Sequence, residues 1–119
     1  PPRAFAPIVA AIGAMRAKEM FFTGRVVSAA EADALGMLTR RVPAADLDRV
    51  VDELCAVIAR GAPMTLTSAK RSIDAASGLP TGLSPSEIQD LADACFDSAD
   101  FAEGRAAFRD KRTPRFSGK

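Results

Sequence analysis

The chain has 119 residues, of which 48% are apolar and 26% are charged, and its net charge is +1. These values are typical of one globular domain and exclude a disordered chain. A net charge this close to zero provides no overall attraction to nucleic acid or to an anionic membrane, so we predict neither as a partner.

The first half of the chain is predicted to be mainly helical. A loop over residues 1–7 precedes a short helix that is interrupted at Gly13, and a second helix from about 14 to 23 stops at Gly24. Glycine tolerates the left-handed turn that commonly ends a helix. Ser28 opens a further short helix, for which Glu31 is the expected reciprocal capping partner.

A short strand is predicted near residues 38–42, where Leu38, Arg40 and Val42 alternate with their neighbours before Pro43. A lone strand leaves backbone groups unpaired on both edges, and the chain offers no second strand pattern. The segment is therefore either merely extended or paired with a strand outside this chain.

The second half of the chain carries the clearest amphipathic helices. Asp46 is the expected cap of a helix whose apolar residues form one continuous stripe, and Pro63 begins the next helix after Gly61. The flexible connection predicted over residues 76–86 contains, near its end, the start signal of another helix at Ser84. The residues of the stripe are Leu47, Val50, Val51, Leu54, Cys55 and Ile58.

The last helix carries the candidate binding residues. Asp100 is its expected cap, with Glu103 folding back on that cap, and Gly104 indicates close approach of a neighbouring backbone. Phe108 and Lys111 lie one turn apart, where a flat ring and an ammonium group suit an adenine ring that carries phosphates. The alternative is that Phe108 belongs to the core and Lys111 is simply solvated.

The residues that are absent restrict the chemistry. The chain contains no histidine, tryptophan or tyrosine, which excludes histidine-assisted nucleophilic catalysis and most zinc sites. Cys55 and Cys95 occupy apolar helical positions, so we predict buried, reduced thiols and a cytoplasmic location. The start Pro1-Pro2, without methionine, indicates a processed or truncated product, or a sequence whose beginning is missing.

Residues 28–47 are similar to the first helix and turn of a DNA-binding helix-turn-helix, in which alanines are followed by a leucine and a glycine, here Leu35 and Gly36. The second helix of that motif would have to begin near Leu38 and would meet Pro43 within two turns. A proline inside a helix costs about 3 kcal/mol, which counts against this interpretation.

Three segments together resemble the C-terminal half of the crotonase superfamily, the enoyl-CoA hydratases and isomerases. They are RAKEMFFTGRVVSAAEADALGMLTRRVP (residues 16–43), APMTLTSAK (residues 62–70) and DFAEGRAAFRDKRTPRF (residues 100–116). The resemblance implies a helical C-terminal region that follows a β-β-α superhelix. It also implies that this region supplies contacts between the subunits of a trimer or hexamer.

The resemblance also implies an acyl-CoA enzyme with no tightly bound cofactor and a coenzyme A thioester as substrate. Its final helix supplies an aromatic residue and a lysine near the adenine and phosphates, which correspond to Phe108 and Lys111 here. The backbone amides that polarise the thioester and the two catalytic glutamates precede the matching region. We therefore predict that this chain alone is inactive; the competing hypothesis is a non-catalytic helical association module without a ligand.

Overall fold

The computed structural model describes residues 4–119 and confirms the mainly α-helical prediction. A 3₁₀ turn, Ala44–Asp46, precedes the third helix, and no strand occurs among the described residues. The helices are α1 (Ala6–Thr23), α2 (Ala29–Ala34), α3 (Leu47–Ala59), α4 (Pro63–Ala76), α5 (Pro85–Phe96) and α6 (Ala99–Arg109).

The predicted interruption at Gly13 is confirmed as a sharp change of direction inside α1. Gly13 has φ 79° and ψ 158°, a conformation essentially restricted to glycine. The kink brings Phe5, the residue before α1, against Phe21 near the end of α1. The centres of the two rings lie 4.9 Å apart in an edge-to-face arrangement. Of the predicted loop 1–7, residues 1–3 lie outside the described part of the chain, and α1 already begins at Ala6.

The connection between α1 and α2 is held by an arginine. Gly24 ends α1 in the predicted left-handed conformation, with φ 61°. Arg25 then pairs with Glu19 on one side and Glu31 on the other, both at 2.8 Å. Ser28 caps α2 as predicted by accepting the Glu31 amide N–H at 3.2 Å, but the Glu31 carboxylate binds Arg25 instead of returning to the cap.

The strand predicted near residues 38–42 does not form. This segment is irregular backbone with one bend, and it leads directly into the 3₁₀ turn. The physical reason is that backbone ladder hydrogen bonds need a second strand, and residues 4–119 contain none. Pairing of this segment with a strand outside this chain stays a prediction.

The stripe on α3 is exposed rather than packed in a core. Leu47, Val51 and Ile58 each retain about half of their accessible surface. Cys55 on the same stripe is also exposed, so the prediction of a buried thiol is wrong there; the free thiol of Cys95 is half-buried. Asp46 does not cap the helix, since its backbone is already helical and its carboxylate pairs with Arg49 at 3.2 Å.

The helices α4 and α5 form the most extensive packing between elements, and α5 also contacts α6. Arg71 on α4 holds the loop between α4 and α5 by donating a hydrogen bond to the Thr81 carbonyl at 3.0 Å. Ser84 begins α5 with the predicted reciprocal capping, in which Glu87 accepts the Ser84 amide N–H at 2.7 Å.

Little of the chain is buried. The buried apolar side chains of the described residues are Ile12, Ala17 and Ala107. The radius of gyration is 18.4 Å, whereas a compact domain of this length has about 14 Å. None of the helices in residues 4–119 combines the length and the apolarity that a membrane crossing requires.

Candidate functional site

The candidate site is built on α6, which begins two residues earlier than the sequence predicts. Ser98 is the cap, because its backbone is extended and its hydroxyl accepts the Phe101 amide N–H at 3.0 Å. Asp100 therefore lies inside the first turn, and Glu103 does not fold back on a cap. The predicted capping pair of Asp100 and Glu103 is wrong, and both carboxylates bind elsewhere.

Both carboxylates bind the residues that follow α6, here called the C-terminal tail (residues 112–119). Asp100 is only 3% exposed and accepts the amide N–H groups of Ser117 at 2.6 Å and Gly118 at 2.8 Å. Glu103 accepts two bonds from the Arg112 guanidinium, at 2.6 and 2.8 Å, and one from the Arg115 amide at 2.8 Å. The tail consequently runs back along the helix.

The tail can turn back because α6 ends in a Schellman motif. The Arg112 amide donates to the Ala107 carbonyl at 3.0 Å and the Lys111 amide donates to the Phe108 carbonyl at 3.3 Å. Lys111 occupies the left-handed position, with φ 51°, where glycine is usual. The candidate lysine is thus fixed at the turn immediately after the candidate aromatic residue.

Phe108 is not a core residue of this chain. Its side chain is 88% exposed, so the alternative interpretation of a core phenylalanine is wrong here. Lys111 is exposed as well. An exposed ring has the chemistry to stack on a flat heterocycle, and an exposed ammonium group three residues later in the chain has the charge to neutralise a phosphate.

Phe108 lies at a cavity of about 460 Å³ between α6, the tail and the start of α4. The Arg105 guanidinium is also at this cavity and lies 5.9 Å from the centre of the Phe101 ring. Lys111 is not among the lining residues. The lining is mostly apolar and includes Gly61, Leu66, Phe101, Gly104, Phe108 and Phe116.

Gly104 does not face a neighbouring backbone, contrary to the prediction. A methyl group added at this position would lie 3.6 Å from the Phe116 ring, which is an ordinary van der Waals distance. The close neighbour is therefore a side chain of the tail. Phe116, Asp100 and Arg105 are the site residues that reasoning from the sequence missed.

The cavity offers binding rather than acid–base chemistry. Asp100 is the one carboxylate among its lining residues, and both of its oxygens already accept backbone N–H groups. This carboxylate is therefore engaged with the backbone of the tail. These lining residues provide no second acidic group to work with it.

Acid should weaken the attachment of the tail through Glu103. The Arg112 guanidinium, and after it the Arg115 amide, lower the pKa of Glu103 from 4.5 to about 2. A carboxylate with a depressed folded-state pKa adds stability above its ordinary pKa, and this stability is lost as pH falls from about 4.5 towards 2.

We therefore expect the urea midpoint of Glu103→Gln to change less than that of the unmodified chain between pH 5 and pH 2. Glu53→Gln is the matched control, because Glu53 makes an exposed pair with Arg49 on α3. If the urea midpoints of the unmodified chain and of Glu103→Gln changed equally with pH, the Glu103 carboxylate would not be the group whose protonation weakens the attachment of the tail.

Comparison with known proteins places these features in a family. A family model described as enoyl-CoA hydratase/isomerase matches residues 3–119. The short-chain-enoyl-CoA hydratase of Clostridioides difficile is 34% identical over 101 residues, covering 82% of this chain and 63% of that protein. The enoyl-CoA isomerase/hydratase fer4 of Mycosarcoma maydis is 34% identical over 114 residues, covering 91% of this chain and 39% of that protein.

Solved structures show the same similarity in three dimensions. An enoyl-CoA hydratase subunit I from Geobacillus kaustophilus superposes with a TM-score of 0.81 at 33% identity, covering 98% of this chain and 46% of that chain. The enoyl-CoA hydratase of Bacillus anthracis superposes with a TM-score of 0.76 at 29% identity, covering 94% and 43%. The chain spans less than two thirds of the length of these relatives. With a family match over nearly all of its residues, the chain belongs to the enoyl-CoA hydratase/isomerase family.

Proposed function

We propose that this chain is the C-terminal part of an enzyme that hydrates 2-enoyl-CoA in fatty-acid or related acyl-CoA metabolism. Within that enzyme it supplies oligomer contacts and part of the coenzyme A site. The observation that carries the proposal is that Phe108, near the end of α6, and Lys111, three residues later, are both exposed, in a chain whose family match covers residues 3–119. The coenzyme A thioester is the substrate, and no tightly bound cofactor is required.

The binding role follows from the chemistry of the two side chains. The flat face of Phe108 stacks on the planar face of the adenine ring. The Lys111 ammonium neutralises a phosphate of the same nucleotide. The acyl group is covalently joined to the nucleotide end of the same molecule. Binding of the nucleotide end therefore restricts the position of the acyl group and lowers the entropy cost of placing its reactive carbon.

The reaction itself belongs to the preceding part of such an enzyme. Addition of water across the enoyl double bond needs an acid, a base and N–H groups that polarise the thioester carbonyl. The cavity beside Phe108 provides none of these, since the carboxylate of Asp100 is already satisfied. We therefore expect these 119 residues alone to be inactive.

The large exposed apolar faces support the assembly role. Leu47, Val57 and Ile58 on α3, together with Ile73 on α4, are each about half or more exposed. Faces of this kind are typical of surfaces that pack against another subunit or domain. We propose a trimer or hexamer for the whole enzyme and a cytoplasmic location. The same faces also favour the second candidate function, a helical association module without a ligand.

Calorimetric titration of the chain with coenzyme A separates the two functions. We expect saturable binding that weakens at least tenfold in Phe108→Ala, about 1.4 kcal/mol, because stacking on an exposed ring is worth about this much. Lys111→Gly should weaken binding similarly, and it removes the ammonium without straining a left-handed backbone.

Two exposed residues away from α6 provide matched controls. Phe22→Ala removes a ring on α1 that is 82% exposed, and Lys70→Ala removes an exposed ammonium on α4. Both should bind coenzyme A as the unmodified chain does. Absence of binding by every oligomeric form of the chain would favour the association module.

A further inference from the structure

The C-terminal tail is held by its backbone at two separate points. Asp100 accepts the amides of Ser117 and Gly118, and its own amide donates to the Lys119 carbonyl oxygen at 3.2 Å. Glu103 accepts the Arg115 amide at 2.8 Å in addition to the Arg112 guanidinium. Hydrogen bonds between backbone N–H groups and a carboxylate are about twice as strong as neutral ones.

The two points of attachment lie on either side of one residue, Phe116. Arg115 before it is bound by Glu103, and Ser117 after it is bound by Asp100. Its backbone therefore cannot shift without breaking a charge-assisted bond. The ring is half-buried over Gly104 and forms part of the cavity where Phe108 lies.

The far end of the tail reaches a second helix. A methyl group added at Gly118 would lie 3.5 Å from the Pro63 ring, at the first residue of α4. The tail thus crosses from α6 to the start of α4, and the same two segments supply Leu66 and Phe101 to the cavity. The tail closes one side of a space that α4 and α6 leave between them.

We propose that Asp100 and Glu103 are positioning residues that hold the tail as a latch, fixing the Phe116 ring as a wall of the cavity beside Phe108. Release of either carboxylate frees the ring and widens the cavity. The consequence for a ligand depends on the proposed function, since the wall would then shape the space next to the nucleotide end of coenzyme A.

A single tryptophan reports on the wall directly. The chain contains no tryptophan or tyrosine, so Phe116→Trp introduces the only indole. With the latch closed we expect blue-shifted emission and weak quenching by acrylamide. Adding Asp100→Ala or Glu103→Ala should shift the emission to the red and raise the quenching constant at least threefold, with the far-ultraviolet circular dichroism unchanged.

Amide hydrogen exchange tests the latch without altering Phe116. In Asp100→Ala we expect the amides of Ser117 and Gly118 to exchange at least tenfold faster, and in Glu103→Ala the amide of Arg115 to do so. The amides of α4 should keep their rates in both variants. Glu53→Ala, which breaks the exposed pair with Arg49, is the control and should leave the tail amides unchanged.

The results that would overturn the proposal are distinct. Unchanged tail exchange in both variants would show that the carboxylates do not hold the tail. A uniform acceleration over α4, α6 and the tail would show a general stabilising role rather than a latch. Because neither readout uses coenzyme A, a failed latch leaves the coenzyme A titration intact as a test of the proposed function.

Discussion

Replacing Gly13 by alanine should destabilise the fold of α1 by about 2–3 kcal/mol. Gly13 has φ 79° and ψ 158°, and a side chain in this region collides with its own backbone. No other group lies within 4 Å of the position where the methyl would be, so the cost is conformational rather than steric crowding by neighbours. The reversal also brings Phe5 onto Phe21, a contact that a straightened helix would lose.

Urea unfolding followed by circular dichroism measures this effect, and Gly104→Ala is the matched control. Gly104 is inside α6, and a methyl there meets the Phe116 ring at 3.6 Å without a clash. We expect Gly104→Ala to be neutral or stabilising by up to about 1 kcal/mol, the usual difference between these residues inside a helix. Equal effects of the two substitutions would contradict the special conformation of Gly13.

The second large effect concerns association. The accessible surface of the chain is 8924 Å², whereas a compact monomer of this mass exposes about 6,200 Å². The exposed surface includes large apolar side chains, as on the α3 stripe, where Leu54 and Val51 are 36% and 47% exposed. Burial of such surface stabilises a complex by about 25 cal/mol per Å², so the chain is expected to self-associate.

A charge placed on the stripe should oppose this association. We expect Leu54→Lys to shift the chain towards smaller species in light scattering, since an ammonium group is costly to bury at an apolar contact. Asp52→Lys adds the same side chain on the polar face of α3 and should leave the distribution nearly unchanged. An equal shift in both variants would mean that the added charge, and not the stripe, controls association.

The features that the sequence predicted correctly are set by local chemistry. Gly24 ends α1 because a left-handed turn favours glycine, and Ser84 with Glu87 caps α5 through bonds that span three residues. The break at Gly13 belongs to the same class, since it depends on one residue's permitted backbone conformation. Such signals are complete within a few residues and need no tertiary partner.

The features that the sequence missed depend on segments far apart in the chain. Asp100 was assigned to a helix cap, but its partners Ser117 and Gly118 lie 17 and 18 residues away. Cys55 on the α3 stripe was predicted to be buried because it occupies an apolar helical position, and periodicity identifies an apolar face without identifying what covers it. The strand near 38–42 failed for the same reason, because a strand requires a partner.

The candidate site was predicted in part. Phe108 and Lys111 were predicted to lie one helical turn apart, but Lys111 lies past the end of α6 with φ 51°. Both side chains are exposed. The role of Phe116 could not be predicted, since it requires the tail to reverse after the left-handed Lys111. The partner of the tail becomes evident only once the burial of Asp100 is known, because a buried acid inside the first turn of a helix needs hydrogen-bond donors from elsewhere.

The central claim is that these residues form an assembling part of a larger enzyme and not a self-sufficient domain. Sedimentation equilibrium of the unmodified chain, from low to high micromolar concentration, tests it most directly. We predict species of at least two 12.5 kDa chains that grow with concentration. A well-folded species of 12.5 kDa at every concentration would contradict the claim.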